Sequence, residues 1–152
     1  MPDDLTIRTA TVPDAETITA FNQAMARETE DKALDPPTVE AGVQALIASP
    51  EDGFYLLAER DALIVGSLMI TTEWSDWRNG RFWWVQSVYV RPEVRRAGIY
   101  RALYTDVKRR AAAAEDVCGL RLYVEKENRV ARTAYEALGM TQTSYRLYEE
   151  ML

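Results

Sequence analysis

The sequence of 152 residues contains no histidine and a single cysteine, Cys118. Without histidine there is no Ser-His-Asp or Cys-His nucleophile and no imidazole metal site. One cysteine forms no disulfide framework within the chain and no thiolate cluster, so nothing in the composition calls for an oxidising compartment. Cys118 borders an apolar stretch and reads as a small buried hydrophobe. An acidic loop of EF-hand type is also missing, and no metal is expected. No apolar run approaches the ~20 residues of a membrane span. The opening Met-Pro-Asp-Asp lacks the basic-then-apolar order of a secretory leader. The expected compartment is therefore the cytoplasm, with no membrane partner. Neither a Gly-Lys-Ser/Thr loop nor a Gly-x-Gly-x-x-Gly run occurs, which excludes the P-loop and the dinucleotide fingerprint.

What is present suits an ordinary folded domain. Hydrophobic residues make up 47% and charged residues 28%. That is enough to bury a core in one domain spanning 1–152. The net charge of −6 is unevenly spread: residues 1–60 carry twelve acids against four bases, whereas residues 91–110 carry seven bases against Glu93 and Asp106. An acidic chain with one local positive patch is a poor nucleic-acid binder and a good match for a small, highly charged ligand. Lys108, Arg109 and Arg110 also suit the favourable placing of cations at a helix C-terminus.

Periodicity supplies the elements. Leu5, Ile7 and Ala10 mark a first strand; Ile18, Phe21 and Met25 form one face of a helix capped by Thr11 or Asp14. Thr38 starts or caps a second helix, with Val39, Val43, Leu46 and Ile47 inward. Phe54–Ala58 and Leu63–Thr72 read as a hairpin joined at Arg60-Asp61. Phe82–Val90 follows an Asn79-Gly80 turn. A helix from Ile99 to Ala114 precedes a strand at Leu120–Val124. A further helix begins at Asn128, carries Ala131, Ala134, Tyr135 and Leu138, and stops at Gly139. Tyr145, Leu147 and Met151 alternate in a terminal strand, which offers an edge to a second copy of the chain. The predicted fold class is α/β (α+β): a mixed, mostly antiparallel sheet of about six to seven strands flanked by about four helices.

Val88-Tyr89-Val90 suits a strand ending at Pro92, and Ile99, Leu103 and Val107 recur at helical spacing. Between them lies a basic turn with Arg95, Arg96 and Gly98. The first N–H groups of a helix lack intrahelical partners and carry partial positive charge, so this strand–turn–helix junction is a natural phosphate site.

Val88-Tyr89-Val90-Arg91-Pro92 followed by Arg95 and Gly98 resembles the pyrophosphate motif of the GCN5-related N-acetyltransferases, with Tyr100 where that motif has a small residue. Leu120–Asn128, Ala131 and Tyr135 through Gly139-Met140 are similar to the family's later strand, Asn-x-x-Ala-x-x-x-Tyr and Leu-Gly-Phe, with Met140 in place of Phe. The resemblance implies the acyl-CoA N-acyltransferase fold and an acetyl-coenzyme A-dependent N-acetyltransferase acting by direct transfer on the primary amine of a small acceptor. It implies that main-chain groups of Val88 and Val90, beside Tyr89, hold the pantetheine near a bulge. Amides of Arg96, Ala97, Gly98, Ile99, Tyr100 and Arg101 would cradle the pyrophosphate, with charge from Arg95 or Arg96. Asn128 and Ala131 would approach the cofactor arm, and Tyr135 would be the general acid; an aromatic on a buried helix face is the other reading of Tyr135. Tyr100 either narrows the turn or points out of it. Relatives carry a glutamate on the fourth strand as base, whereas Trp83-Trp84-Val85-Gln86-Ser87 has none; Glu28, Glu30, Glu73 and Asp76 remain as candidates. Trp74, Trp77, Trp83 and Trp84 form either an aromatic wall for a cation or a packed sheet face. The alternatives to a small-molecule enzyme are an acyl-coenzyme A sensor without turnover and a protein N-acetyltransferase.

Overall fold

Five strands form one sheet in the order β1-β2-β3-β4-β5: Leu5–Thr9, Gly53–Arg60, Leu63–Ser75, Gly80–Val90 and Val117–Arg121. The first three pairings are antiparallel; β4 and β5 run parallel. The helices are α1 (Ala15–Glu30), α2 (Pro36–Ile47), α3 (Ile99–Ala113) and α4 (Arg129–Ala137). The structure, a computed structural model, describes residues 4–152. It divides into two compact units, Met1–Leu122 and Tyr123–Leu152. Among the described residues no helix is long and apolar enough to cross a membrane.

In the first unit the sheet buries both faces. Tyr55, Leu57 and Met69 pack with Ile18 of α1 and Val43 of α2. On the other face, Gly66 lies against Ile99 at the start of α3. Leu68 and Ile70 follow Gly66 at two-residue spacing on this same face, and neither is exposed to solvent at all. Leu103 and Val107 of α3 are equally buried. Each such side chain contributes roughly 1.5–3 kcal/mol through removal from water. A Cβ on Gly66 would sit 3.0 Å from Ile99 Cγ2 and 3.2 Å from the Tyr89 carbonyl oxygen, so glycine is what lets α3 begin this close to the sheet. Gly66→Ala should therefore overpack the junction by about 1–2 kcal/mol and lower Tm by a few degrees. A thermal melt showing no change would mean that α3 shifts without cost.

Several sequence expectations shift. The cap of α2 is Asp35, whose side chain accepts from the Thr38 N–H, with Pro36 and Pro37 as its first residues; proline has no N–H to lose there. A short 3-10 turn, Val12–Asp14, precedes α1. Asp14 is buried, takes both guanidinium arms of Arg8 at 2.8 and 2.9 Å, and accepts from the Thr11 N–H at 2.8 Å. The β2–β3 turn is Asp61-Ala62, both left-handed. Ser75 pairs with Gly80, so four residues connect β3 to β4 and Gly80 already belongs to the strand. The fifth strand is Val117–Arg121, beginning three residues before the expected Leu120–Val124, and its rungs to β4 run from Arg81–Val117 to Trp84–Arg121. Cys118 on this edge strand is exposed, not buried: β5 is partnered on one side alone. The sheet has five strands where six to seven were expected. Residues 144–152 form no strand among the described residues, since alternation makes a strand only where a ladder partner exists.

In the second unit, Asn128 Oδ1 accepts from the Ala131 N–H at 3.1 Å and so caps α4. Gly139, at φ 100°, ends it, with the Met140 N–H donating to the Tyr135 carbonyl at 3.1 Å.

Candidate acetyl-transfer site

Strand β4 is divided along its length. From Arg81 to Trp84 it pairs with β5, and the last rung joins Trp84 to Arg121. Beyond that rung β4 continues to Val90 with no further pairing to β5, so the two strands fork. Within the forked half, Met69 pairs with Gln86 and Ser67 with Tyr89, which leaves one extra residue in β4. Ser87 takes it up at φ 51°, a left-handed conformation that is costly for a residue with a Cβ. The bulge expected near Val88 is here.

Past Val90 the chain makes a 3-10 turn, Pro92–Val94, and reaches the basic turn. Arg96 at φ 65° and Gly98 at φ 81° flank Ala97. Two left-handed residues so close gather successive N–H groups into a concavity that favours anions. Ile99 opens α3, and the Ala102 N–H is the one that returns to the Gly98 carbonyl, at 3.0 Å. The N–H groups of Ile99, Tyr100 and Arg101 therefore precede the first intrahelical bond and face the turn. A Cβ on Gly98 would meet nothing within 4 Å, so glycine serves the left-handed backbone there and not the space.

The two arginines of the turn differ. Arg95 donates from Nε to the Val90 carbonyl at 2.9 Å and from Nη2 to Glu28 at 2.8 Å, with its guanidinium over the Tyr89 ring. It ties the turn to β4 and α1. Arg96 is exposed. Tyr100 lies against the ring of Tyr104, one helical turn on, with centroids 6.0 Å apart. Its bulk runs along α3. Arg109 and Arg110 both bind Asp106, and Lys108 lies over Tyr104, so this trio braces the helix.

Of the four candidate carboxylates, Glu28 is held by Arg95, and Glu30 lies 3.8 Å from Lys32 at the exposed end of α1. Asp76 is exposed in the β3–β4 connection. Glu73 is the one at the fork: its Oε1 accepts from Arg121 Nη1 at 2.7 Å and from Trp84 Nε1 at 3.2 Å, the two residues of the last paired rung. Arg121 is stacked 3.6 Å over the Phe82 ring. One rung toward the bulge, Gln86 donates to Thr71 Oγ1 at 2.6 Å. Sequence reasoning missed Arg121, Gln86 and Thr71. The hairpin register, once fixed, puts Thr71 opposite Trp84 and Glu73 opposite Phe82, which was the available signal.

The tryptophans do not make one wall. Trp83 meets Phe54 edge-on at 5.3 Å, on the opposite face of the sheet from Trp84. Trp74 and Trp77 are exposed on the hairpin beyond the end of β2.

In the second unit Tyr135 and Ala131 lie one turn apart on the half-buried side of α4. Burial pushes the Tyr135 phenol above its ordinary value, so it carries its proton at neutral pH. No cluster of three or more cysteine and carboxylate side chains fit to hold a metal occurs among the described residues.

The model of the acetyltransferase (GNAT) family matches residues 18–140. The crystal structure of a possible acetyltransferase from Clostridium difficile 630 is 43% identical and superposes with a TM-score of 0.91, covering 99% of both chains. A predicted acetyltransferase from Clostridium acetobutylicum, solved with acetyl-CoA, shares the fold at 17% identity and a TM-score of 0.78, covering 96% of each chain. No curated protein matches the sequence. A family match running from α1 past α4, together with a relative 43% identical over nearly its whole length, has one meaning: this chain belongs to the GNAT family of acetyltransferases.

Proposed function

We propose that the chain transfers the acetyl group of acetyl-coenzyme A directly to a primary amine on a small molecule. The observation that carries this reading is the fork: β4 loses its partner after Trp84, bulges at Ser87 and runs straight into the basic turn at the head of α3. An unpaired strand edge offers main-chain groups to an extended polar arm, and the turn offers amides to a pyrophosphate. The cosubstrate supplies an acetyl group already activated as a thioester.

In this reading Val88 and Val90, beside Tyr89, hydrogen-bond the arm, and a β4 amide polarises the acetyl carbonyl. Arg96, Ala97, Gly98, Ile99, Tyr100 and Arg101 hold the phosphates through main-chain N–H groups, with the Arg96 guanidinium adding charge. Arg95 positions the turn. Asn128 and Ala131 border the arm, and Tyr135 protonates the departing thiolate. Glu73, at the fork, orients the ammonium of the acceptor, which attacks once it has lost a proton to water.

The test is a calorimetric titration with acetyl-coenzyme A, followed by a panel of small amines with free thiol monitored. Micromolar binding and amine-dependent thiol release support the proposal; binding without release from any amine would favour a sensor. Glu73→Gln should raise KM for the amine about tenfold with kcat little changed, the scale of one charge-assisted contact. An unaltered KM would remove Glu73 from the acceptor site.

A further inference from the structure

We propose that the fork binds a free α-amino acid as the acceptor, its ammonium on Glu73 and its carboxylate on Arg121, an inference that rests on acetyl transfer at the fork. A cosubstrate arm that starts at the basic turn and runs along β4 from Val90 brings its acetyl end toward Trp84–Arg121, the last rung. Only two residues, about 7 Å of strand, separate Trp84 from Gln86 next to the bulge. Met69 belongs to the core under α1 and α2 and pairs with Gln86, so the two-residue period puts Glu73, Phe82 and Trp84 on that face too. Gly119 and Arg121 stand opposite Phe82 and Trp84.

Arg121 is placed to receive more than Glu73. A Cβ on Gly119 would lie 2.7 Å from Phe82 Cε1, so the glycine lets the ring lean over β5. The Arg121 guanidinium lies on that ring, 3.6 Å from its centroid, which fixes its plane. Of its five N–H donors it gives one, from Nη1, to Glu73 Oε1. Among the described residues of the first unit its other donors have no partner, and neither has Glu73 Oε2. The charges are also unequal. Arg78 reaches the same ring, 5.1 Å from its centroid, and has no ion pair among the described residues. Two guanidinium groups thus share one ring and one carboxylate, which favours the arrival of a second anion.

An α-amino acid answers both needs at once. Its ammonium and carboxylate share one carbon, so its opposite charges lie side by side, as those of Glu73 and Arg121 do at 2.7 Å. Laid antiparallel to that pair, it sets the ammonium on Glu73 Oε2 and the carboxylate on the unused edge of the guanidinium. A simple amine leaves that edge to water, and a peptide amino terminus presents an amide there.

Calorimetry on the chain loaded with coenzyme A tests this without turnover. The twenty common amino acids are compared with their primary amides and with their decarboxylated amines. At least one amino acid should bind tenfold or more tighter than both its counterparts, the scale of a charge-assisted contact. No such preference in any of the twenty overturns the proposal. In Arg121→Gln the amino acid should fall to within twofold of its amide; a preference that survives overturns the assignment of Arg121. Arg121→Lys, which keeps the charge and the stem but not the planar fork, should retain only part of the preference, and full retention would count against it. Thiol release from amines with no gain from a carboxylate would sink the amino-acid acceptor while acetyl transfer stands. Preferred binding of an amino acid without thiol release would uphold the amino-acid site and remove the transfer.

Discussion

Tyr135→Phe is expected to lower kcat by about 10²-fold while leaving the affinity for acetyl-coenzyme A within twofold. The phenol is held protonated by burial, which disfavours the phenolate. A thiol of pKa about 8.5 leaves as a thiolate unless a nearby acid delivers a proton, and general acid catalysis of this kind contributes roughly 10²–10⁴. Phenylalanine keeps the ring, and with it any packing on the half-buried side of α4, but has no proton to give. A fall in kcat at constant binding is the signature of an interaction made only in the transition state. Because burial raises the phenol pKa, loss of the acid by ionisation should set in later on the alkaline side than for an ordinary phenol. Equal kcat values for the two proteins would leave Tyr135 as a packing residue and return the acid role to solvent.

The second large effect is on stability. Asp14 sits buried between Arg8 and the Thr11 amide, with Arg8 also bound to Glu59 at 2.9 Å. Replacing Asp14 with asparagine removes the charge while keeping shape and one acceptor. Arg8 is left with Glu59 and partial access to water, so the loss should be about 2 kcal/mol, less than for a fully buried pair, and Tm should fall by roughly 4–8 °C. The guanidinium of Arg8 holds the Asp14 carboxyl below its usual range. A carboxyl whose folded pKa is depressed adds stability that is complete above its unfolded value and lost as pH falls through the folded one. The gap between wild type and Asp14→Asn should thus be full at pH 6–7 and shrink below about pH 4. A gap that is constant with pH would mean that the bond to the Thr11 amide, not the charge, holds this corner.

The strand, basic turn and helix opening of residues 88–101 were legible because they are local. Residues 88–101 are contiguous, and a strand, a proline, two arginines, a glycine and a helical repeat can be read off one line of sequence. The cluster at the fork was not legible in the same way. Glu73, Trp84 and Arg121 come from three strands, and Glu73 meets Arg121 only through the parallel register of β4 on β5, which no turn residue encodes. Of the two readings of the tryptophans, a single wall is the one the strand period disfavours. Trp83 and Trp84 are adjacent in the strand and must face opposite ways. The terminal strand was misread because Tyr145, Leu147 and Met151 carry a strand's pattern, while a ladder also needs a neighbour.

Ser87 acts on the two-residue period of β4 as an inserted letter acts on a reading frame. Val85 pairs with Ile70 on the α3 side, whereas Tyr89, an even number of residues later, meets the ring of Phe21 on the α1 side with centroids 4.9 Å apart. Everything from Val88 to the basic turn is thereby set out of phase with the strand that precedes it. Deleting Ser87 alone would leave Gln86 opposite Met69 and Tyr89 opposite Ser67, an unbroken ladder that keeps Tyr89 toward Phe21 and loses only the bulge. Two residues lost there would instead set Tyr89 opposite Leu68, on the α3 side, and take from Arg95 the ring it lies over, so in this stretch the parity of a deletion matters more than its length.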